Sequence, residues 1–298
     1  MNLRDLKYLV ALADTKHFGH AAERCHVSQP TLSAQIRKLE EYLGVTLVER
    51  QPKRVALTDT GAQVVARARR LLKEAEDIQE LARGSRDPLA GRLRVALIPT
   101  IAPYLLPRVT PRLKRALPKL QMMLFEYQTA PLLEKLRAGD VDLGILALPV
   151  GDDGLDSREL YQEAFVLAAP DKHELATHKT VKTSDLAGQT LLLLEDGHCL
   201  RDQALEVCSR LDVHEDSDYR ATSLETLRQM VAAGLGITLL PELSTEGPFG
   251  NMRGVAIRPF ARPAPFRTIG AVWRRSSTRL PAITQVCDVL AAALEGRK

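Results

Sequence analysis

The chain has 298 residues, 45% of them hydrophobic and 26% charged, with a formal net charge of +4 at neutral pH. That length exceeds one ordinary core and predicts two or three domains, and the composition is globular rather than fibrous or disordered. No stretch approaches the ~18 apolar residues of a membrane span, the N-terminus lacks a signal-peptide core, and four cysteines are too few for a disulfide scaffold; a cytoplasmic location is expected.

Charge is unevenly spread. Residues 1–70 hold 12 Lys and Arg against 7 Asp and Glu, a net of +5, whereas the remainder holds 29 against 30, a net of −1. Positive charge collected at one end is expected where a domain meets an acidic polymer. Leu3, Leu6, Leu9, Val10 and Leu12 predict a first helix over about 3–14, and Ala21, Ala22 and Cys25 a short second one over about 18–25. Ser28 can cap a third helix, with Pro30 in its first turn, where a missing N–H costs nothing, and Leu32, Ile36, Leu39 and Leu43 as its buried stripe. Gln29, Thr31, Ser33, Gln35 and Arg37 are then left pointing outward, with groups that hydrogen-bond base edges or phosphates in a major groove. The pattern is a helix-turn-helix. Leu47–Arg50 and Val55–Leu57 read as two short strands around 51–54, a basic wing whose Arg50, Lys53 and Arg54 suit phosphate contact. The competing reading is a generic three-helix domain with a solvated basic loop.

The stretch AAERCHVSQPTLSAQIRKLEEYLGVTLVER at 21–50, followed by LTDTG at 57–61, resembles the LysR-type transcriptional regulators. Val48 stands where that family usually has Phe, a matter of local packing. The resemblance implies a winged helix-turn-helix over 1–59 that binds double-stranded DNA through Ser28, Gln29, Pro30, Thr31, Ser33, Gln35, Arg37, Arg50, Lys53 and Arg54.

From Gly61 to about Arg83, Val64, Ala68, Leu71, Ala75, Ile78 and Ala82 recur in steps of four and three. That is a heptad seam, and it predicts a dimer. A single helix lying along its own domain is the alternative. The resemblance implies that a linker helix over 60–90 pairs with its copy and sets two DNA-binding heads on a roughly palindromic site.

Beyond Arg86-Asp87-Pro88 and Gly91, strand and helix signals alternate: strand at Leu93–Ile98, helix at Leu105–Leu117, strand at Met122–Tyr127, helix at Leu132–Ala138 and strand at Val141–Leu148. Strands at Phe165–Ala169 and Leu191–Leu194, a helix opened by Ser223, strands at Ile237–Leu240 and Thr268–Trp273, and a helix at Ala282–Leu294 continue the series. The rhythm is that of an α/β fold with a parallel sheet flanked by helices. There is no metal-ligand spacing, phosphate-binding glycine loop or nucleophile elbow, so neither metal, cofactor nor enzyme activity is expected; Gly234-Leu235-Gly236 precedes a strand and is a turn.

Leu191–Cys208 carries the chemistry. Leu200, Ala204, Val207 and Leu211 define one face of a helix with Asp196 as its expected N-cap, which puts Cys199 in a first turn that favours a thiolate. His198 and Arg201 can reinforce this if their side chains face the sulfur. Cys208 lies nine residues on, about 13.5 Å along an intact helix, whereas a disulfide tolerates Cα atoms up to about 7 Å apart. Joining them requires the helix to unravel. The bland alternative is two inert buried cysteines; Cys25 and Cys287 are expected to be core residues.

GHCLRDQALEVC at 197–208, ATSLETLRQMVAAGLGITLLP at 221–241, IRPF at 257–260 and PFRT at 265–268 resemble hydrogen-peroxide-sensing members of the same family. Residues 212–218, DVHEDSD, lie outside these motifs and read as a flexible loop. The resemblance implies a periplasmic-binding-protein-like effector domain over 91–298, with lobe one at about 91–162 and 267–298 and lobe two at about 163–266. It implies that peroxide oxidises Cys199 to a sulfenic acid that forms a disulfide with Cys208, in a pocket completed by Thr100, Thr129, His198, Asp202 and Arg267. It further implies refolding that alters DNA binding and transcription of antioxidant genes, a homodimer assembling into a homotetramer, contact with RNA polymerase, and reduction by a glutaredoxin or thioredoxin system. Two other readings are a regulator that binds a small organic effector between the lobes, and a thiol peroxidase. If Arg54 meets phosphate, Arg54→Ala weakens binding to DNA of many sequences alike and lowers the slope of log affinity against log salt by about 1; binding titrations at several salt concentrations check this, and a sequence-selective loss contradicts it.

Overall fold

The computed structural model describes residues 1–51, 54–84, 87–209, 213–250 and 252–294. The chain divides into two compact units, Met1–Arg86 and Asp87–Lys298.

In the first unit, helices α1 (Leu3–Thr15), α2 (Phe18–Arg24) and α3 (Gln29–Leu43) precede strands β1 (Val48–Gln51) and β2 (Arg54–Leu57) and the long helix α4 (Asp59–Gly84). Local signals set the boundaries. The Asn2 side chain accepts the N–H groups of Arg4 and Asp5, and Asp5 accepts that of Asn2, a complete capping box. Ser28 accepts the Thr31 N–H at 3.3 Å, Pro30 sits in the first turn of α3, and Gly44 closes it in the left-handed region at φ 69°. Leu9 and Leu12 of α1, Leu32, Ile36 and Leu39 of α3, and Leu47 form a sealed core, each burial contributing about 1.5–3 kcal/mol. Leu43, expected in the buried stripe, packs only partly against it. Glycine is obligatory at 61: a Cβ there would lie 2.0 Å from the Leu47 carbonyl oxygen. The same oxygen accepts the Thr58 N–H, so this contact pins the start of α4 to the wing.

Helix α4 rests on α1 through one face, where Val65 and Ala68 are buried. Leu71 and Ile78 of the heptad seam are 52% and 64% exposed on the single chain. The helix therefore does lie along its own domain, yet large apolar seam residues remain uncovered.

The second unit contains β3 (Gly91–Leu97), α5 (Ala102–Ala116), β4 (Leu120–Glu126), α6 (Thr129–Ala138), β5 (Leu143–Leu148), β6 (Leu155–Pro170), β7 (Thr190–Leu194), α7 (Cys199–Cys208), β8 (His214–Ala221), α8 (Leu224–Ala232), β9 (Thr238–Pro241), β10 (Val255–Pro259), β11 (Phe266–Arg274) and α9 (Leu280–Leu294). It is two-lobed. One lobe is built on the sheet order β4-β3-β5-β11-β6, and in the other β6 continues between β9 and β10. Strand β6 changes partner at one point: up to Ala164 it pairs with β11, and from Phe165 it pairs with β9 and β10. The β7–β8 pair joins the second lobe through a parallel bridge between Leu191 and Ile237.

Three expectations are corrected. The sheet is mixed rather than parallel: β4-β3-β5 and β7-β8 are parallel, but β6 and β11 run antiparallel because they carry the chain out of one lobe and back. The acidic stretch read as a loop is largely strand β8, held by backbone pairing to the apolar β7, with Asp212 itself outside the described residues. Strand β6 is 16 residues long, its first half hidden from pattern reading by charged residues at alternate positions, and β10 gave no usable signal. Among the described residues no helix is long and apolar enough to cross a membrane.

Candidate functional site

Cys199 is the first residue of α7 and Cys208 its last, with the helix intact and both thiols free. Leu200, Ala204 and Cys208 form the buried face, so Cys208 belongs to the core while Cys199 is only partly covered. Burial pushes the Cys208 thiol up from its ordinary value, and pushes Cys287 up to about 11. Cys287 is fully buried in α9, and Cys25 is half-buried beside the first core with its thiol also pushed up by burial.

The turn into α7 differs from expectation at its cap. His198, not Asp196, is the N-cap, and it makes no capping hydrogen bond through its side chain. Asp196 instead meets Arg201 Nε at 3.0 Å and Arg220 Nη1 at 3.0 Å, and Glu215 takes the other side of Arg201 at 2.8 Å. The Arg201 guanidinium is thus directed to two carboxylates. Gly197, at φ 96°, holds a backbone conformation that strains any other residue, and a Cβ there would come within 2.8 Å of Gln128 Oε1, so that side chain would have to move. Gln128 donates to Glu195 Oε1 at 3.3 Å across the lobes, so the residue before α6 is seated against the turn before α7.

His198 is 4% exposed, its Nε2 has no hydrogen-bond partner, and Glu195 Oε1 is 4.0 Å away. Burial holds its pKa below the ordinary 6.5 against the opposing pull of Glu195 and Glu126. Its ring lines a cavity of about 450 Å³ with Pro99 and Gln128, the residues immediately before Thr100 and Thr129. Thr100 is buried, and the Thr129 hydroxyl is a buried atom without a partner. Asp202 is exposed in the first turn of α7. Arg267, 3% exposed, forms with Glu163 an ion pair in which Nε and Nη2 both reach Oε2 at 2.7 Å. Its Nη1 donates to Thr100 Oγ1 at 3.0 Å and its Nη2 to the Thr100 carbonyl at 3.1 Å. Glu163 is 2% exposed, and its second oxygen accepts the Leu243 N–H at 3.0 Å. Removing one member of so buried a pair typically costs about 3–5 kcal/mol. A second cavity, of about 440 Å³, is lined by Arg267 and by Gln203, one turn along α7 from Cys199. The first cavity is lined by the residue before Cys199, and the second by residues farther along α7. Among the described residues no group of three or more His, Cys, Asp or Glu side chains could hold a metal ion.

On the first unit, Ser28, Gln29, Pro30, Thr31 and Arg37 are exposed along α3, while Ser33 and Gln35 are half-buried. Lys53 lies outside the described residues, as do the side chains of Arg50 and Arg54.

Residues 3–62 match the model of the bacterial regulatory helix-turn-helix proteins of the lysR family, and residues 86–295 match that of the LysR substrate binding domain. The chain belongs to the LysR family. It is a helix-turn-helix transcription regulator, and the relatives it matches are regulators rather than enzymes. It is 47% identical over 296 residues to the DNA-binding transcriptional dual regulator OxyR of Escherichia coli, covering 99% of this chain and 97% of that protein. Among solved structures it resembles a full-length cysteine-to-aspartate variant of OxyR from Pseudomonas aeruginosa, at 40% identity and a TM-score of 0.75 with 98% of each chain covered. It also resembles a cysteine-to-serine mutant of Corynebacterium glutamicum OxyR with hydrogen peroxide bound, at 36% identity and a TM-score of 0.69 over 99% of this chain and 93% of that one.

Sequence reasoning brought together Thr100 and Arg267 but missed Glu163, Gln128 and the Asp196–Arg201–Glu215–Arg220 cluster. Glu163 had one legible signal: Arg267 cannot be buried without a counter-charge, and Glu163 is the residue paired with it across the β6–β11 ladder. For His198 the sign of the pH effect is fixed. A folded pKa below 6.5 means that the unfolded chain binds the proton more readily, so stability is lost as pH falls below 6.5 towards the folded value. His198→Gln flattens that decline, as denaturant midpoints between pH 7.5 and 5 will report; parallel profiles for the two proteins contradict the assignment.

Proposed function

We propose that this LysR regulator senses hydrogen peroxide through Cys199 and Cys208. The carrying observation is the placement of two free cysteines at opposite ends of one helix, one partly exposed at its N-terminus and one buried at its C-terminus. The similarity to OxyR proteins, one of them solved with hydrogen peroxide bound, supports the choice of oxidant.

In the proposed reaction the Cys199 thiolate attacks one peroxide oxygen. An S–O bond forms as the O–O bond breaks, hydroxide leaves, and Cys199 becomes a sulfenic acid while peroxide is reduced. The Cys208 sulfur then attacks Cys199, forming the disulfide and releasing the sulfenic oxygen as water. Cys208 is protonated and buried while α7 is folded, so the second step waits on opening of the helix. Thr100, Thr129, His198, Asp202 and Arg267 are proposed to bind peroxide and orient its O–O bond. A cellular dithiol of the glutaredoxin or thioredoxin type would reverse the change.

The readout is transcriptional and takes place in the cytoplasm. The head over 1–59 binds double-stranded DNA through Ser28, Gln29, Pro30, Thr31, Ser33, Gln35 and Arg37 on α3 and Arg50, Lys53 and Arg54 on the wing. The linker over 60–90 pairs with a second copy through the uncovered Leu71 and Ile78. The effector domain over 91–298, with lobe one at about 91–162 and 267–298 and lobe two at about 163–266, joins dimers into a tetramer. Repacking around α7 then changes DNA binding, contact with RNA polymerase and transcription of antioxidant genes.

A second reading rests on the cavity of about 450 Å³ between the lobes, which has room for a small organic effector far larger than peroxide. The two readings part on the cysteines. Under the peroxide reading Cys199→Ser abolishes the transcriptional response to peroxide, and thiol trapping after one equivalent finds Cys199 bonded to Cys208. A response that survives in Cys199→Ser, or a Cys199 bonded elsewhere, overturns it.

A further inference from the structure

We infer that Glu163 is a positioning residue for the peroxide reaction: it holds Arg267 so that the guanidinium fixes the direction of the Thr100 hydroxyl proton. The inference rests on the peroxide reading above and adds to it a residue that touches neither cysteine.

The argument begins with what each group can do. Arg267 has only donors, so the 3.0 Å contact between its Nη1 and Thr100 Oγ1 is one in which the threonine oxygen accepts. A hydroxyl that accepts from one side keeps its own proton for another partner. Among the described residues that proton has no acceptor, although Thr100 is buried. The Thr100 carbonyl also accepts from Arg267, so hydroxyl and backbone are both gripped and the side chain has little freedom to turn. What remains is a buried hydrogen-bond donor with a preset direction.

That preset depends on Glu163. Arg267 and Glu163 face each other across the β6–β11 ladder, where they are paired residues, and their side chains are 1% and 0% exposed. No solvent neutralises the guanidinium there. Glu163 takes Nε and Nη2 on one oxygen and anchors its other oxygen to the Leu243 N–H. It is therefore fixed in turn by the segment that follows β9, and Nη1 is left for Thr100 Oγ1 alone. A neutral amide at 163 would present one acceptor and one donor, and the donor would compete with either Leu243 N–H or Arg267. Guanidinium and hydroxyl would then lose their fixed relation.

In the reaction the departing peroxide oxygen gains negative charge as the S–O bond forms and the O–O bond breaks. A donor already aimed at that oxygen stabilises the charge without reorganising, while the proton stays on Thr100 and hydroxide leaves. Alkylation of Cys199 by iodoacetamide expels iodide and has no such oxygen. The two reactions should therefore respond differently to the same variants.

The test uses the full-length protein, with sulfenic acid trapping to time Cys199 oxidation by one equivalent of peroxide and iodoacetamide labelling of Cys199 alongside. Thr100→Val is expected to slow oxidation about tenfold or more, with alkylation changing far less, and Thr100→Ser to recover much of the loss. Glu163→Gln is expected to slow oxidation selectively in the same way, and to add almost nothing when combined with Thr100→Val. Should Glu163→Gln fail to fold, Glu163→Asp, which keeps the charge and withdraws it by one methylene, takes its place in the cycle. Independent, multiplying losses in the double variant overturn the inference, as does a Thr100→Val protein that oxidises at the wild-type rate or a variant that slows both reactions equally. If wild-type Cys199 reacts with peroxide no faster than free cysteine, the peroxide reading itself fails, an outcome visible before any variant is made.

Discussion

An α-helix of ten residues keeps its ends apart, and Cys199 and Cys208 are those ends. Nine steps of about 1.5 Å place their backbones some 13.5 Å apart, roughly twice what a disulfide spans. The reduced fold and the proposed bond are therefore mutually exclusive. Oxidation would set the covalent energy of one bond against the helical hydrogen bonds of α7 and the burial of Leu200, Ala204 and Cys208. A helix of this length is marginal in isolation and is held by packing, so the segment combines a defined reduced structure with a modest cost of opening.

The surroundings keep the N-terminal end of that helix in register. Gln128 reaches across from the other lobe to Glu195, Gly197 admits it, and Asp196 and Glu215 hold Arg201. Glu163, Arg267 and Thr100 form a buried network at the point where β6 and β11 connect the lobes. Chemistry at Cys199 is thus placed among contacts that belong to both lobes, and a change in α7 would be felt where the lobes meet. Charge on the His198 ring is disfavoured by the same burial, leaving a neutral, unpartnered nitrogen on the inter-lobe cavity.

Much of this was legible in the chain because it depends on local rules. Ser28 followed by Pro30 and the Leu32, Ile36, Leu39 stripe specify α3 almost to the residue, and the spacing of Cys199 and Cys208 carries its mechanical consequence without any coordinates. The misses share a cause: they depend on partners distant in sequence. Asp196 obeys the rules of an N-cap, yet Arg201 and Arg220 draw it away and His198 takes the place. Strand β8 is acidic and irregular in pattern, and exists because β7 offers it a backbone edge. Glu163 sits in a half-polar strand and acquires meaning only from Arg267, 104 residues later. The buried Arg267 could have prompted a search for its carboxylate, but not its identity.

Hydrogen exchange through α7 tests the central claim most directly. In the reduced protein the amides within 199–208 should be protected, and one equivalent of peroxide should abolish that protection in step with formation of the Cys199–Cys208 bond, while β7 at 190–194 stays protected. A disulfide between these two cysteines with α7 still protected would contradict the account.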